Sequence, residues 1–360
     1  MFKLKDTGTD TSLPDLVRHI NEGNLSELRD AIAQGWDLEQ EIRISQYTTV
    51  IPIEAALIAG QFEVIKLLIE HGVNLNHKKE PSFLLAVRYC EEEIIRYIVA
   101  HGAKVDALDQ LKSNAYQQAY YGNKHNLPLI HELGLDAASY GGYTLRKAVN
   151  DRDWRTIEFM LQHGVDINFN KPDMVFPYCA TPLTTAARNG DMKMVQYLVE
   201  HGADVCICEK GGDRAYTIAV QNKDTAMAEY LKSLEPADYH NIENKRLALK
   251  SYKLPQGLID FLMGDKLRID LPDNEFEIGY IEFFTFSDTI EMKAGRKKLL
   301  RLTAEVDNYT SILLVWNPKK KCVGYYDEEH QEYGDVCSFE DFLAQPELYM
   351  TKIVEGDLVT

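Results

Sequence analysis

Four stretches of this chain close in nearly the same words: "EHGVNLN" (70–76), "AHGAKVD" (100–106), "QHGVDIN" (162–168) and "EHGADVC" (200–206). With Gly35 and Gly134 added, the closing glycine recurs at Gly35, Gly72, Gly102, Gly134, Gly164 and Gly202, in steps of 30 to 38 residues. A unit of that length is one supersecondary element. It cannot bury its own apolar face, so it must stack against its neighbours. No other feature limits the fold as tightly.

The best copies show what the unit contains. "TPLTTAARNGDMKMVQYLVEHGADV" (181–205) opens with Thr-Pro-Leu, runs through Ala-Ala to Asn-Gly, and ends a second apolar helix at His-Gly. "IPIEAALIAGQFEVIKLLIEHGVNL" (51–75) follows it position for position, and "SFLLAVRYCEEEIIRYIVAHGAKV", "NAYQQAYYGNKHNLPLIHELGLD" and "YTLRKAVNDRDWRTIEFMLQHGVDI" follow it more loosely. This pattern resembles the ankyrin repeat, whose period is about 33 residues. Residues 13 to about 237 then form an α solenoid of about seven repeats. Ala186 and Ala187 let neighbouring repeats approach, Val195, Leu198 and Val199 face the core, and Gly202 takes the left-handed conformation that ends the helix. His71, His101, His163 and His201 could be drawn as a row of metal ligands. Their place at helix C-termini points instead to capping of the last carbonyls.

Two segments lengthen the period, "EIRISQYTTV" (41–50) and "NKPDMVFPYCA" (170–180), and insertions of this kind map to loops on one face of an array. The second puts Met174, Phe176 and Tyr178 where they either cover the neighbouring loop or meet a partner. The residues just after the Ala-Ala position, which face the concave groove in ankyrin arrays, include Arg88, Tyr89, Tyr120, Tyr121 and Arg188. Tyr and Arg dominate interface hot spots, so these are candidate partner-binding residues, with packing along the groove wall as the alternative.

After Pro236 the repeat stops. "LPQGLIDFL" reads as a helix, followed by strand-like "KLRIDL", "FEIGYIEFFTF", "KLLRLTAEV", "SILLVWNP" and "CVGYYDEE", and by "SFEDFLAQPELYM" as a helix capped by Ser338. "SILLVWNP", apolar on both faces, is expected as a central strand with Trp316 in the core. The domains are thus 1–237 and 238–360, the second a small α+β fold that shields the open end of the array. The opening "LPQGLIDFL", the late pair "LLVWNP" and "CVGYYD", and the closing "SFEDFL" resemble the SUKH superfamily. That superfamily includes yeast Smi/Knr-type cell-wall regulators and many bacterial toxin-immunity proteins. Met263-Gly264-Asp265 stands where a glycine pair often follows the first helix. The resemblance implies a bacterial immunity protein that binds a cognate toxin, often a nuclease.

Charge bears on the partner. The chain carries a net −17 and both halves are acidic, which disfavours nucleic acid and anionic membranes and favours a basic protein. Asp327, Glu328, Glu329, Glu332 and Asp335 crowd one loop, either a solvated turn or an acidic face for a basic toxin, while "KAGRKK" (293–298) and "PKKK" (318–321) read as basic loop tips. No phosphate-cradling glycine loop, nucleophile elbow or His-Glu-x-x-His is present. Cys206 and Cys208 have no further Cys or His at metal spacing and read as small buried hydrophobes. The start, "MFKLKDTGTDTSLPDLV", lacks the apolar run of a signal peptide. The expectation is a cytoplasmic, monomeric, non-enzymatic protein binder without metal or cofactor. The alternative is an ankyrin-repeat effector or intracellular adaptor.

Overall fold

The computed structural model describes residues 13–272 and 274–357, so most of the opening stretch read for a signal lies outside them. Alternating short apolar helices and turns give helix pairs: Asp15–Glu22 with Leu25–Ala33, Pro52–Ala59 with Phe62–Glu70, Ser82–Tyr89 with Glu92–Ala100, Ala115–Tyr121 with Leu127–Glu132, Gly142–Asn150 with Trp154–Gln162, Pro182–Arg188 with Met192–Glu200, and Ala215–Gln221 with Thr225–Leu234. The first helix of a pair starts where proline is tolerated, at Pro52 and Pro182, and the Thr181 hydroxyl accepts the Thr184 N–H at 3.0 Å as its cap. Ala186 and Ala187 are fully buried, as a close helix approach requires. On the second helix the buried row is Met194, Val195 and Leu198, while Val199 is only half-buried. Met194 is the better-placed side chain because residues four apart stack on one face.

The His-Gly ending has a clear physical cause. Nδ1 of His71, His101, His163 and His201 lies 2.7–2.8 Å from the carbonyl oxygen four residues back, on Leu67, Tyr97, Phe159 and Tyr197. Nδ1 therefore carries the proton and donates to a carbonyl the helix leaves open. The following glycine has φ between 77° and 98° at Gly72, Gly102, Gly164 and Gly202, which turns the chain out of the helix. In three copies the imidazole also packs on the ring of the residue whose carbonyl it caps, most closely at Tyr197 and His201, with centroids 4.0 Å apart. His201→Ala is expected to cost about 0.5–1.5 kcal/mol, the usual net value of such a bond. His71→Ala, with no ring beneath it, should cost less; denaturant midpoints of the two variants check this.

One compact unit runs to Ala148 and includes Asp153–Asp166; a second holds Val149–Arg152 and continues from Ile167. In the first, β1 (Ile42–Arg43) pairs with β2 (Thr49–Val50) as a short hairpin before the second helix pair. The second combines the last two helix pairs with the strand-rich region.

That region has helices at Ile242–Leu249 and Gln256–Leu262 and then eight strands: β3 (Arg268–Asp270), β4 (Tyr280–Phe283), β5 (Ile290–Ala294), β6 (Lys297–Arg301), β7 (Thr303–Val306), β8 (Ile312–Asn317), β9 (Cys322–Asp327) and β10 (Glu332–Cys337). Helices Phe339–Ala344 and Pro346–Glu355 follow, and the Ser338 hydroxyl accepts the Asp341 N–H at 3.0 Å. All pairings are antiparallel, in a five-stranded sheet ordered β10-β9-β8-β6-β5 and a three-stranded sheet ordered β3-β4-β7. The stretch "KLLRLTAEV", expected as one strand, is two: β6 and β7 belong to different sheets and meet at buried Leu302. β8 is central and buried throughout. Its even-numbered side chains join the main core with Leu258, Leu262, Phe339, Phe342 and Met350, where the Trp316 indole N–H donates to the Tyr252 carbonyl at 2.9 Å. Its odd-numbered Leu313 and Val315 join Met292, Leu299 and Tyr326 on the opposite face.

Candidate protein-binding surface

In the first unit the candidate surface is built from loop 109–113 and the ends of the short helices. The loop closes by the Asp109 N–H donating to the Ser113 carbonyl at 3.1 Å, with Lys112 at φ 66°. The Asp109 carboxylate accepts the N–H groups of Leu111 and Ser113, both at 2.8 Å, and the Gln118 amide at 2.9 Å. Gln118 in turn accepts from Arg88 at 2.9 Å. Arg88 is thus a tie between neighbouring repeats, and its guanidinium lies 5.3 Å from the Tyr89 ring centroid. Tyr120 is 4 % exposed and Tyr121 is 54 % exposed, because adjacent helical residues point in different directions. Tyr120 is a packing residue, with the Lys124 ammonium 4.1 Å from its ring. Beyond the residues singled out from sequence, Tyr47 is 89 % exposed at the β1–β2 turn and Leu111 is 65 % exposed at a loop tip. Their signal was position, since each lies in a segment between helix pairs, where chemistry is not needed for stacking.

In the second unit Met174 is 83 % exposed while Phe176 is buried and Tyr178 half-buried, so the loop 170–180 anchors itself with its rings and presents its methionine. Arg188, at the position equivalent to Arg88, pairs with Glu209 at 2.6 Å and lies 5.0 Å from the Tyr178 ring centroid. Burial pushes the Glu209 carboxyl up, and Arg188 offsets only part of that. Arg188 therefore holds the loop that follows it directly, and Arg88 holds the corresponding loop 109–113 through Gln118, before either can serve a partner.

Loop 209–213 repeats the backbone bonds of 109–113, with the Glu209 N–H donating to the Asp213 carbonyl at 2.8 Å. Its tip, however, is Gly211-Gly212 instead of Leu111-Lys112. A Cβ on Gly212 would lie 2.6 Å from Ile290 Cγ2 and 2.8 Å from the Glu291 carbonyl oxygen, so strand β5 rests on this tip. Asp213 then meets Arg301 of β6 at 3.1 Å, with the two side chains 9 % and 6 % exposed. Tyr216 donates to Asp288 at 2.9 Å and Lys223 pairs with Glu305 at 3.3 Å. The end of the array is thereby covered by the strand-rich region.

The acidic stretch is a hairpin. Asp327 of β9 stands opposite Glu332 of β10, with Glu328 and Glu329 in the turn. Partial burial would raise the Asp327 carboxyl, but hydrogen bonds from the His330 side chain and from the His330 and Glu329 N–H groups outweigh it and hold the pKa below the usual value. Glu328 is exposed as a residue, yet its carboxylate turns towards Gly211; burial pushes its pKa up, with Asp213 adding to the shift and Arg301 and Arg188 opposing it. Asp335 is not part of the turn: it lies on β10 opposite Gly324 and is bound by Tyr333, Asn317 and Cys322. The outward-facing charge of the turn is therefore carried by Glu329 and Glu332, while the half-buried Asp327 braces the turn through His330. Cys208, read as buried, is exposed, and Cys206 is half-buried. Among the described residues no helix is long and apolar enough to cross a membrane.

A family model described as ankyrin repeats matches residues 145–243 in three copies. The chain carries ankyrin repeats. An ankyrin repeat-containing protein of Treponema pallidum is 28 % identical over 120 residues, which is 31 % of this chain and 40 % of that relative's length. A solved structure of a predatory endopeptidase from Bdellovibrio bacteriovorus in complex with an immunity protein aligns at 19 % identity and a TM-score of 0.34, over 62 % of this chain and 100 % of the matched one; so slight a likeness carries no argument. Ankyrin arrays are protein-binding scaffolds, and here the exposed Tyr47, Leu111, Tyr121 and Met174 sit on loops and helix ends that such arrays present outward.

Proposed function

We propose that this protein is a non-catalytic cytoplasmic binder that captures and neutralises a basic toxin domain, with nuclease toxins favoured, and that residues 238–360 form a SUKH-like domain. The acidic hairpin carries this reading: Asp327, Glu329 and Glu332 stand on a braced turn in a chain of net −17. A basic partner would be drawn to that turn by long-range attraction, and fast capture suits an inhibitor. The sequence resemblance to immunity proteins supports the same partner class. Met174, exposed in the same unit as the hairpin, would supply short-range contact once the partner arrives, and Tyr121 of the first unit is a separate candidate contact.

A toxin gene is expected beside this one, with growth restored on co-expression with it; a neighbouring toxin left active would overturn the reading. Asp327→Asn, Glu329→Gln and Glu332→Gln together should slow association several-fold at low salt and little at high salt. Tyr121→Ala should instead speed dissociation at any salt, by about 5- to 150-fold if the ring is a hot spot worth ~1–3 kcal/mol. A second reading, an intracellular adaptor, is favoured by one observation: the opposite end of the same sheet is strongly basic, which a binder of basic toxins does not require.

A further inference from the structure

The two basic stretches of the strand-rich region, distant in sequence, are brought to one place by the sheet. The β5–β6 turn sets Ala294 opposite Lys297, and β6 runs antiparallel to β8 with Leu300 opposite Trp316. The start of β6 therefore lies at the same end as the finish of β8 and the β8–β9 turn. Lys293, Arg296, Lys297 and Lys298 come from the first turn, Lys319, Lys320 and Lys321 from the second, and neither 293–298 nor 318–321 contains an acid. All seven are exposed.

Two of these cations are already engaged. Lys298 lies 3.6 Å from Glu291 and 3.0 Å from the Ser251 hydroxyl, and Lys297 sits 3.9 Å from the Tyr333 ring centroid. Among the described residues the other five side chains meet no carboxylate at ion-pair distance. The arrangement costs stability where it is most crowded, because Lys293 stands directly opposite Lys298 and like charges across a strand pair repel. Among the described residues the other five cations add no ion pair that would offset it.

We infer that this end of the five-stranded sheet is a docking surface for a short acidic segment of a partner protein. Charge complementarity sets the sign of the occupant. The rest of the chemistry favours peptide over nucleic acid. A chain of net −17 repels a long polyanion, whereas a short segment meets mainly the local patch. Two rings meet the patch among the described residues: Tyr333 is half-buried, with its hydroxyl bound to Asn317 and Asp335 and its face taken by Lys297, and Tyr252 is fully buried beneath Lys298, so neither offers a platform for a base. The turn centres lie two strand spacings apart, about 10 Å, which about three extended residues span. Carboxylates a few residues apart on an extended segment would reach both turns. This surface is separate from the acidic hairpin and does not depend on the toxin reading.

The test is anisotropy of a fluorescein-labelled octaglutamate peptide titrated with the full chain at low salt, beside a single-stranded oligodeoxynucleotide of equal charge. The peptide should bind more tightly than the oligonucleotide and weaken as salt rises. Arg296→Glu with Lys320→Glu should weaken it at least ten-fold, and Lys319→Gln, Lys320→Gln and Lys321→Gln together by a smaller factor, while Glu329→Gln at the other end should not weaken it. The neutral triple variant decides the matter if the charge reversal disturbs folding, which circular dichroism would reveal. Absent peptide binding, undiminished binding by the folded triple variant, or tighter binding of the oligonucleotide would each overturn the inference.

Discussion

Asp213→Ala should destabilise the second compact unit by about 3–5 kcal/mol, the typical cost of leaving one member of a buried ion pair alone. Arg301 is 6 % exposed and cannot recover its hydration. Its Nε and Nη2 already donate to the Thr303 and Ala304 carbonyls at 2.9 and 3.3 Å, which pins the charge where Asp213 faces it. Asp213 also accepts from Gln221, so its removal frees a second polar group. Asp213→Asn, which keeps acceptor oxygen but removes the charge, should fall between wild type and Asp213→Ala. The double variant Asp213→Leu with Arg301→Met should recover most of the loss, because well-packed apolar groups often replace a buried pair at little cost. Denaturant unfolding of the four proteins measures this. A loss below about 1 kcal/mol for Asp213→Ala would mean that water reaches the guanidinium.

The difference between local and long-range contacts explains what could be read from sequence. The repeat was legible because its determinants are local: His201 caps a carbonyl four residues away and Gly202 turns the chain at once. The buried β8 was legible for the same reason, since six consecutive apolar or terminal residues can only be a strand covered on both sides. Asp213 and Arg301 are 88 residues apart, and nothing near either of them announces the other. β10 was missed because "EYGDVC" is an edge strand whose charges and glycine hide its alternation. The candidate surface was legible only in outline. The tyrosine-rich helix end was found, but the choice between buried Tyr120 and exposed Tyr121 depends on helix phase against a neighbouring repeat. The arginines were found as groove residues, and the structure shows why they are there: Arg188 pairs with Glu209 of the loop that follows, and Arg88 reaches Asp109 of its own loop through Gln118. Five acids close in sequence looked like one patch, and the pleat of a hairpin sent Glu328 and Asp335 to other partners.

The glycines at the tip of loop 209–213 give the second large effect. Gly212 has φ 91°, where a side chain is strained whatever the space around it, and its missing Cβ is the gap into which Ile290 and the Glu291 carbonyl fit. Gly212→Ala should therefore combine about 1 kcal/mol or more of backbone strain with an overlap that only movement of β5 can relieve, a total on the order of 3 kcal/mol. Gly211→Ala is the internal control. Its added Cβ would come no closer than 3.4 Å, to the end of the Glu328 side chain, so its cost should stay below about 1 kcal/mol. Ile290→Ala on the Gly212→Ala background removes the side-chain contact at 2.6 Å but leaves the carbonyl at 2.8 Å, and it should restore part of the loss. Lys112→Gly at the equivalent place in the first unit, where φ is 66°, should instead be tolerated or mildly stabilising, because the residue there pays strain without a strand resting on it. Thermal unfolding of these variants separates the causes. If Gly212→Ala melts with wild type while Asp213→Ala does not, the ion pair alone holds strand β5 and its neighbour against the array, and the tip glycines are ordinary turn residues.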